Sequence, residues 1–332
     1  MSAQMQDRVA SETSISTSFR KAVFGSVPPI PDAVNLKDQT AIITGSNTGI
    51  GLEAARQFLQ KGLSQLILAV RSLTKGDNAA KLLAHQFPAA NIQVWLLDME
   101  SDASVRSFAR RCESLERIDI IILNAGVGKM TFEKSNEGKG REVTLQVNYI
   151  NTMLLAILMV PILKTKAQDR PNRLTVVGSD MSYWATLPET SGSLLDALDT
   201  DKSYNGMQHY GKTKLLLLMG IAKLSQTVTA DEVIINYFNP GATKGTGLNR
   251  EASGFWKIVP FVMDRVIGRD VVDSARQYLH SAVVLGKESH GSFTDFMIRP
   301  YPKFMYTEAG QEKMDHLWEE TLSELGLSPY SI

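Results

Sequence analysis

Short apolar runs alternate along the chain with longer runs in which apolar residues recur at helical spacing. The short runs are typical of strands buried on both faces, and the longer ones are typical of crossover helices. This alternation predicts an α/β protein with a doubly wound parallel sheet of about seven strands and helices on both faces. The predicted strands are 40–44, 65–70, 92–97, 119–123, 172–178, 232–238 and 292–297, and the predicted helices are 50–61, 75–86, 102–115, 137–165, 208–226 and 270–285.

Composition fits one elaborated globular domain. The 332 residues are 43% hydrophobic and carry a formal net charge of zero, so nothing favours nucleic acid or an anionic membrane as a partner. No run reaches the ~18 apolar residues of a membrane span, and no signal-peptide core is present, so a cytoplasmic protein is expected. Cys112 is the only cysteine. We divide the chain into an N-terminal extension (1–36) that wraps the domain or touches a partner, a single sheet domain (37–300) and a C-terminal tail that packs on it (301–332).

A glycine-rich run stands where the first predicted strand becomes a helix. Glycine lacks a Cβ and tolerates positive φ, so such a loop turns tightly and lets a pyrophosphate approach the free N–H groups of a helix N-terminus. Its spacing, G-x-x-x-G-x-G, departs from the general G-x-G-x-x-G but serves the same mechanism. An ordinary turn is the alternative. As a dinucleotide site in a Rossmann-type fold, the run Thr44 to Gly51 would bind cofactor through Gly45, Ser46, Asn47, Thr48, Gly49, Ile50 and Gly51.

Unusual residues follow nearly every predicted strand. Because ligands bind outside the carboxyl ends of the strands in an open parallel sheet, these residues are expected on one rim. Each alone fits a cap or a turn equally well, but six in order predict a binding site. In chain order they are the glycine loop, Arg71, Asp98, Asn124-Ala125-Gly126, Ser179 and Asn239-Pro240-Gly241.

The candidate chemistry rests on the segment Tyr210-Gly211-Lys212-Thr213-Lys214. An interval of four places the Tyr210 phenol and the Lys214 ammonium on one helix face. A free phenol, with a pKa of about 10, holds its proton too tightly to exchange it near neutrality, and a neighbouring cation lowers that pKa. Tyr210 is therefore expected to act as an acid or base, with the Ser179 hydroxyl holding the substrate oxygen.

Together these motifs resemble the short-chain dehydrogenase/reductase family over about residues 36–300. The glycine loop looks like its cofactor loop, Asn124-Ala125-Gly126 looks like its N-A-G motif, and Ser179, Tyr210 and Lys214 look like its catalytic triad. The resemblance implies that Tyr210 passes a proton to or from the substrate oxygen and that Ser179 orients this oxygen. It also implies that Lys214 lowers the phenol pKa while binding the nicotinamide ribose.

The same resemblance implies roles for other residues. Asn148 is similar to the family's fourth catalytic residue, which helps to hold a water that connects the lysine to solvent. Asp98 resembles the acidic residue beside adenine, and Pro240-Gly241 resembles the loop near nicotinamide. After that loop Thr243 is the expected cofactor contact, although Gly245 holds the usual threonine position and Thr246 also lies beside it.

Two apolar stripes, 153–160 and 215–218, could be mistaken for membrane-seeking segments. They are expected to be buried helices. By the family resemblance, the helices before Ser179 and containing Tyr210 often form a homodimer face, so part of this apolar surface is a candidate intersubunit contact.

Within the family, the chain resembles retinol-dehydrogenase-like and fungal secondary-metabolism members. The features are Leu68-Ala69-Val70-Arg71 with Lys75-Gly76, the tail around Leu317-Trp318-Glu319-Glu320, and an interval of thirty-one positions from Ser179 to Tyr210. That long interval makes 184–207 an inserted loop, expected over the substrate. A second substrate loop is 242–266, whose apolar run from Phe255 to Met263 is either a substrate lid or a core-packed helix.

The end of the second strand indicates which cofactor is used. An acidic side chain there would pair with the ribose hydroxyls of NAD, but Val70 is followed by Arg71. A guanidinium meets phosphate in a two-pronged contact, so NADP(H) is predicted, with Arg71 and Lys75 among the binding residues. A solvated surface charge is the alternative for Arg71. Thr48 stands where many NADP-binding relatives carry a basic residue, which weakens this argument without reversing it.

These residues predict an NADP(H)-dependent oxidoreductase that interconverts a ketone or aldehyde and an alcohol by hydride transfer. Its small-molecule substrate is expected to be an apolar secondary metabolite of polyketide or terpenoid type. The alternatives are an epimerase or dehydratase that uses the bound nucleotide transiently, and a non-catalytic NADP-binding regulatory protein. The five histidines show no paired ligand spacing, so no metal site is predicted, and His209 either touches substrate or lies on the helix surface.

Overall fold

The apolar runs form one eight-stranded sheet in a computed structural model that describes residues 1–14, 16–18, 20, 25–244 and 268–328. The strands are β1 (Thr40–Thr44), β2 (Gln65–Val70), β3 (Asn91–Leu96), β4 (Ile120–Leu123), β5 (Asn172–Val177), β6 (Val233–Phe238), β7 (Ser292–Thr294) and β8 (Ile298–Arg299). Their order across the sheet is β3-β2-β1-β4-β5-β6-β7-β8. Neighbouring strands are parallel except for the antiparallel pair β7 and β8. The predicted doubly wound parallel sheet is confirmed, with one strand more than expected.

Helices cover both faces of the sheet. They are α1 (Val9–Glu12), α2 (Gly49–Gln60), α3 (Leu73–Gln86), α4 (Asp102–Glu113), α5 (Val143–Lys166), α6 (Leu194–Leu198), α7 (Gly206–Leu224), α8 (Val271–Leu279) and α9 (Glu308–Leu325). Residues of α2, α3 and α8 form one apolar core with the sheet, and residues of α4, α5, α7 and α9 form the other. Within the described residues two segments are π-helical, Gln146–Asn151 within α5 and His280–Val284 after α8.

Two predicted elements have different boundaries for reasons of backbone geometry. The helix predicted over 137–165 begins only at Val143, because Gly138 and Gly140 adopt positive φ values of 59° and 68°. The strand predicted over 292–297 ends at Thr294, because Phe296 has a φ of 66° and turns the chain back into β8. Both departures come from left-handed residues that interrupt an otherwise continuous pattern.

The apolar stripes 153–160 and 215–218 are core within this chain. The helix Val143–Lys166 is long and apolar enough to cross a membrane, but 94% of its most apolar window is buried inside the fold. Helix α9 covers part of this helix, and the Tyr149 phenol is hydrogen-bonded to the Thr321 hydroxyl of α9 at 2.5 Å. An ion pair of 2.5 Å also joins Lys223 of α7 to Asp315 of α9. The C-terminal tail therefore contributes a helix to the layer where an intersubunit contact was a candidate.

The N-terminal extension packs against the last two strands. The Ser2 side chain is fully buried, donates to the Arg299 carbonyl at 2.5 Å and accepts the Phe293 N–H at 2.9 Å. Glu12 forms an ion pair of 2.8 Å with the buried Arg299 guanidinium. These contacts hold residues 2–12 against β7 and β8, at the edge of the sheet opposite β3.

Candidate functional site

The parallel register brings the six predicted rim segments to one edge of the sheet. β1, β2, β3, β4, β5 and β6 all point the same way, so the residues that follow each strand meet at the carboxyl edge. Asn124 ties two of these segments together, and its Oδ1 accepts from the phenol of Tyr278 in α8 at 2.5 Å. Asn124 Nδ2 in turn donates to the carbonyls of Thr44 and Gly45 at 2.7 and 3.2 Å.

The glycine loop has two crowded glycines and one open one. A Cβ at Gly45 would lie 3.0 Å from Ala125 Cα. A Cβ at Gly51 would lie 2.6 Å from Asn124 Nδ2 and 2.9 Å from the Gly45 carbonyl, so this position tolerates no side chain. Gly49 adopts a φ of 60° at the first residue of α2, and a Cβ there would meet nothing within 4 Å. The open side of the loop thus lies at a helix N-terminus, where a pyrophosphate fits.

The other loop residues differ in what they offer a ligand. The Ser46 side chain is fully buried, and its hydroxyl donates to the Ile43 carbonyl at 2.7 Å. Asn47 and Ile50 are half-buried, and Thr48 is exposed at the position before α2 without making a side-chain cap. Ser46 therefore shapes the loop from inside, while residues 47–49 lie on its accessible side.

The second and third strands end in a charged group. Arg71 is 67% exposed at its side chain and forms an ion pair of 3.0 Å with Glu100, an acidic partner that sequence analysis missed. Lys75 is exposed in the first turn of α3, and its backbone N–H donates to the hydroxyl of the capping residue Ser72. Asp98 Oδ1 accepts the Glu100 N–H at 3.0 Å, which fixes the turn after β3.

Three elements bring the candidate catalytic residues together. Ser179 follows β5 and caps a 3-10 turn over Asp180–Tyr183, accepting the Met181 N–H at 3.2 Å. Tyr210 and Lys214 lie one turn apart on α7, with Lys214 Nζ 5.7 Å from the centroid of the Tyr210 ring. Lys214 Nζ also donates to the Val177 carbonyl at 2.9 Å.

Asn148 lies in the π-helical segment of α5, a distortion that often occurs at functional sites. Its amide is held by Val127, whose N–H donates to Oδ1 and whose carbonyl accepts from Nδ2, both at 2.8 Å. A Cβ added to Gly126 would lie 3.2 Å from Asn148 Oδ1 and 3.7 Å from Lys214 Nζ. The N-A-G segment therefore comes close to both polar groups only because it ends in glycine.

The electrostatics of this group differ from the sequence expectation for Tyr210. Burial, aided by the charge of Asp180, raises the pKa of the Tyr210 phenol above its usual 10, against a side-chain hydrogen bond with Ser179 that lowers it. The same burial lowers the pKa of Lys214 to about 8. The expectation that Lys214 lowers the phenol pKa is therefore wrong for the protein without cofactor, because removal from water disfavours the charged forms of both groups. At neutral pH, Tyr210 holds its proton and Lys214 is a cation.

The buried Lys214 is expected to cost stability in the cofactor-free protein. Its folded pKa of about 8 lies below the 10.5 of the unfolded chain, so between these values the unfolded state binds more protons and stability rises with pH. Lys214→Met should therefore be more stable than the parent below pH 8, by up to about 3 kcal/mol, with the difference closing toward pH 10. Urea unfolding of both proteins from pH 6 to 10 measures this. A difference that does not change with pH would contradict the assignment.

Glu142, Tyr204 and Tyr237 belong to the site and were not predicted. Glu142, fully buried before α5, accepts from His209 Nε2 at 2.7 Å and from the Tyr204 phenol at 2.9 Å. His209 thus neither faces outward nor lies on the helix surface, but joins the start of α7 to the start of α5. Tyr237 lies beneath Ser179. No local sequence pattern predicts the role of Glu142. Gly178, beside Ser179, does indicate that a neighbouring strand of the sheet approaches closely.

The segment after β6 is described only in part. Gly241 has a φ of 79°, and the Pro240 carbonyl accepts from Gln277 at 3.1 Å. The Thr243 hydroxyl is buried and donates to Ser274 Oγ at 2.7 Å, so its contact with cofactor stays a prediction. Gly245, Thr246, most of the loop 242–266 and the run from Phe255 to Met263 lie outside the described residues.

The inserted loop 184–207 is held mainly by other parts of the fold. Glu320 of α9 accepts the N–H groups of Leu194 and Leu195 at 3.0 Å each, and Asp199 pairs with Lys134 at 2.5 Å. Only its two ends, near Trp184 and Met207, lie within a few residues of Ser179 and Tyr210. Its position over the substrate stays a prediction.

Among the described residues, no three His, Cys, Asp or Glu side chains are grouped as a metal site would need. The parallel sheet, the glycine loop at its first crossover and the polar carboxyl edge together define a Rossmann-type protein of the dinucleotide-binding class.

Comparison with known proteins gives the family. Residues 39–181 match the family described as short chain dehydrogenase. The chain is 44% identical over 329 residues to the short chain dehydrogenase virL of Hypocrea virens, covering 98% of this chain and 96% of that protein. It is 42% identical over 311 residues to the short chain dehydrogenase/reductase mfmJ of Annulohypoxylon moriforme, covering 92% and 90%. The chain belongs to the short-chain dehydrogenase/reductase family, which confirms the predicted family.

A solved structure shows the same fold. The Pseudomonas aeruginosa RhlG/NADP active-site complex superposes with a TM-score of 0.62 over 84% of this chain and all of that one, at 19% identity. At this identity the likeness concerns the fold alone.

Proposed function

We propose that this protein is an NADP(H)-dependent oxidoreductase that interconverts a ketone or aldehyde and an alcohol, with an apolar secondary metabolite as substrate. The observation that carries the proposal is the group formed by Ser179, Tyr210, Lys214 and Asn148 at the carboxyl edge, beside an open glycine loop. Membership of an oxidoreductase family and the NADP named with the RhlG complex support it.

The residues at this edge fit a dinucleotide. The open Gly49 and the N–H groups of residues 47–49 would hold the pyrophosphate, and Arg71 would meet the 2′-phosphate of NADP(H). Asp98 would lie beside adenine, and Asn124, Ala125 and Gly126 would border the nicotinamide half. When bound, the reduced cofactor supplies the hydride that a carbonyl carbon accepts.

The side chains then divide the remaining chemistry. In the reducing direction, the Tyr210 phenol donates its proton to the carbonyl oxygen as negative charge develops there. The Ser179 hydroxyl donates a second hydrogen bond to this oxygen and fixes its position. Lys214, a cation at neutral pH, stabilises the phenolate that proton transfer leaves. Asn148 holds the backbone at Val127 and so keeps the edge beside Lys214 in place.

Two exposed apolar side chains support an apolar substrate. Trp184 is 39% exposed directly after the turn that Ser179 caps, and its indole N–H donates to the Thr13 carbonyl at 3.1 Å. Met207 is 49% exposed and lies three residues before Tyr210, hence on the same face of α7. Large apolar side chains exposed beside polar catalytic groups are typical of sites for apolar ligands.

The test is a screen for oxidation of NADPH and NADH against paired carbonyl compounds. Each pair matches an apolar cyclic or aromatic ketone or aldehyde with a polar analogue of similar size. Faster turnover of the apolar members with NADPH supports the proposal. Tight cofactor binding with isomerised or dehydrated product and no net oxidation would replace it with the epimerase or dehydratase. Cytoplasmic location and a homodimer stay predictions.

Cofactor preference can be tested at Arg71. Arg71→Ala should raise the KM for NADPH roughly 10-fold and leave that for NADH unchanged, because only NADPH carries the phosphate that a guanidinium binds. Arg110→Ala, which removes an exposed arginine of α4, is the matched control. Steady-state kinetics with both cofactors measures the effect, and an equal loss with NADH would show that Arg71 does not recognise the phosphate.

A further inference from the structure

One buried phenol joins the two chain segments that carry the catalytic residues. The Tyr237 hydroxyl accepts the N–H of Ser179 at 2.9 Å and donates to the Lys214 carbonyl at 3.1 Å. Tyr237 lies on β6 and is completely buried. A single side chain thus bridges the end of β5 and the middle of α7.

The ring reaches this place because residue 178 is glycine. A Cβ at Gly178 would lie 1.9 Å from the ring carbon Cζ of Tyr237 and 2.4 Å from its hydroxyl oxygen. The phenol therefore fills the volume that any other side chain at position 178 would need. Strand register explains the approach, since Val176 pairs with Tyr237 and the Gly178 N–H donates to the Phe238 carbonyl at 2.7 Å.

The bridge acts on the backbone, so the side chains stay free for chemistry. The backbone N–H of Ser179 donates to Tyr237, and the Ser179 hydroxyl is left to hydrogen-bond with Tyr210 and the Met181 N–H. The backbone carbonyl of Lys214 accepts from Tyr237, while Lys214 Nζ donates to the Val177 carbonyl. Burial raises the pKa of Tyr237, so its hydroxyl keeps the proton that it donates to Lys214.

We propose that Tyr237 is a positioning residue that sets the distance between Ser179 and the Tyr210–Lys214 pair. This inference rests on the proposed function. Without the hydroxyl, the N–H of Ser179 loses its acceptor and the serine is free to shift relative to α7. Misplacement of a catalytic group by a fraction of an ångström to 1 Å lowers the rate by up to about 100-fold.

The test is Tyr237→Phe, which removes one oxygen and keeps the ring. We expect kcat to fall about 10- to 100-fold while the KM and Kd for NADPH stay within about twofold, because the glycine loop is untouched. The pH profile of kcat should also shift, since the surroundings of Tyr210 and Lys214 change. Rates are normalised to NADPH-binding sites, so incomplete folding does not imitate the effect.

Tyr301→Phe is the matched control. It removes another buried phenol hydroxyl. This one donates to the carbonyl of Gly291, which directly precedes the amino end of β7. This variant should lose stability without loss of kcat. If both variants lose kcat only in proportion to their stability, or if Tyr237→Phe keeps the full rate and pH profile, the positioning role is overturned. An inactive Tyr210→Phe beside a fully active Tyr237→Phe would overturn this inference alone and leave the proposed function standing.

A second measurement does not depend on turnover. In Tyr237→Phe the amides of residues 178–183 should exchange hydrogen at least about fivefold faster than in the parent, because the Ser179 N–H has lost its partner. Tyr301→Phe should leave these amides unchanged. Unchanged exchange at 178–183 in Tyr237→Phe would overturn the bridge even if no substrate were known.

Discussion

Tyr210→Phe should lower kcat for carbonyl reduction about 1000-fold and leave NADPH binding intact. The substitution removes the only ionisable proton of the side chain, which hydrogen-bonds Ser179 and lies near Lys214. Loss of a positioned general acid typically costs 100- to 10,000-fold. The ring stays, so the packing of α7 should change little. Steady-state turnover and fluorescence titration of NADPH measure the two effects separately.

The control for this experiment is Tyr306→Phe, which removes a phenol that donates to the Ser2 carbonyl beside β7 and β8. It should keep the parental rate. An unchanged rate in Tyr210→Phe would remove the acid from the proposed mechanism. Retained biological activity in that variant, together with retained NADPH binding, would favour the non-catalytic regulatory protein.

Gly178→Ala should destabilise the protein by about 3 kcal/mol. The new methyl group would lie 1.9 Å from the Tyr237 ring, and neither β5 nor the buried ring can move without disturbing the sheet. Overpacking of this kind usually costs about 1–3 kcal/mol, and a clash with a ring on a central strand stands at the upper end. Urea unfolding monitored by circular dichroism gives the free energy of unfolding.

Two variants separate the clash from a general effect of replacing glycine. Gly192→Ala, where the nearest atom to the added Cβ is 3.7 Å away, should change stability by less than about 0.5 kcal/mol. Adding Tyr237→Val to Gly178→Ala should recover part of the loss, because the smaller side chain vacates the shared volume. If the double variant were as unstable as the sum of the two single ones, positions 178 and 237 would not compete for the same space.

Sequence alone was sufficient to predict those features that follow from local periodicity or from the spacing of residues along the chain. Apolar runs bounded by turns predicted six of the seven strands to within one residue at each end, because a parallel sheet buries both faces of its strands. The same pattern placed the glycine loop, Asn124 and Ser179 at one edge, since parallel strands share a direction. An interval of four residues put Tyr210 and Lys214 one turn apart on α7, as helical geometry requires.

Sequence analysis was less successful where a single left-handed residue or a buried charge decides the outcome. Phe296 carries no turn signature, yet its positive φ creates β8 and with it the surface that holds Ser2. The Tyr210 pKa was expected to fall through its neighbour Lys214, but it rises because burial acts on both groups. Burial is a property of the whole fold and has no signal in a five-residue motif.

The sequence by itself determined the family, the sheet and the identity of the four candidate catalytic residues, because these follow from local periodicity and motif spacing. Only the tertiary structure decided what holds them in place. Tyr237 reaches Ser179 across 58 positions of chain, and Glu142 reaches His209 across 67. Such contacts depend on which strands become neighbours and how much volume a residue such as Gly178 leaves open, and close packing sets both only once the chain has folded.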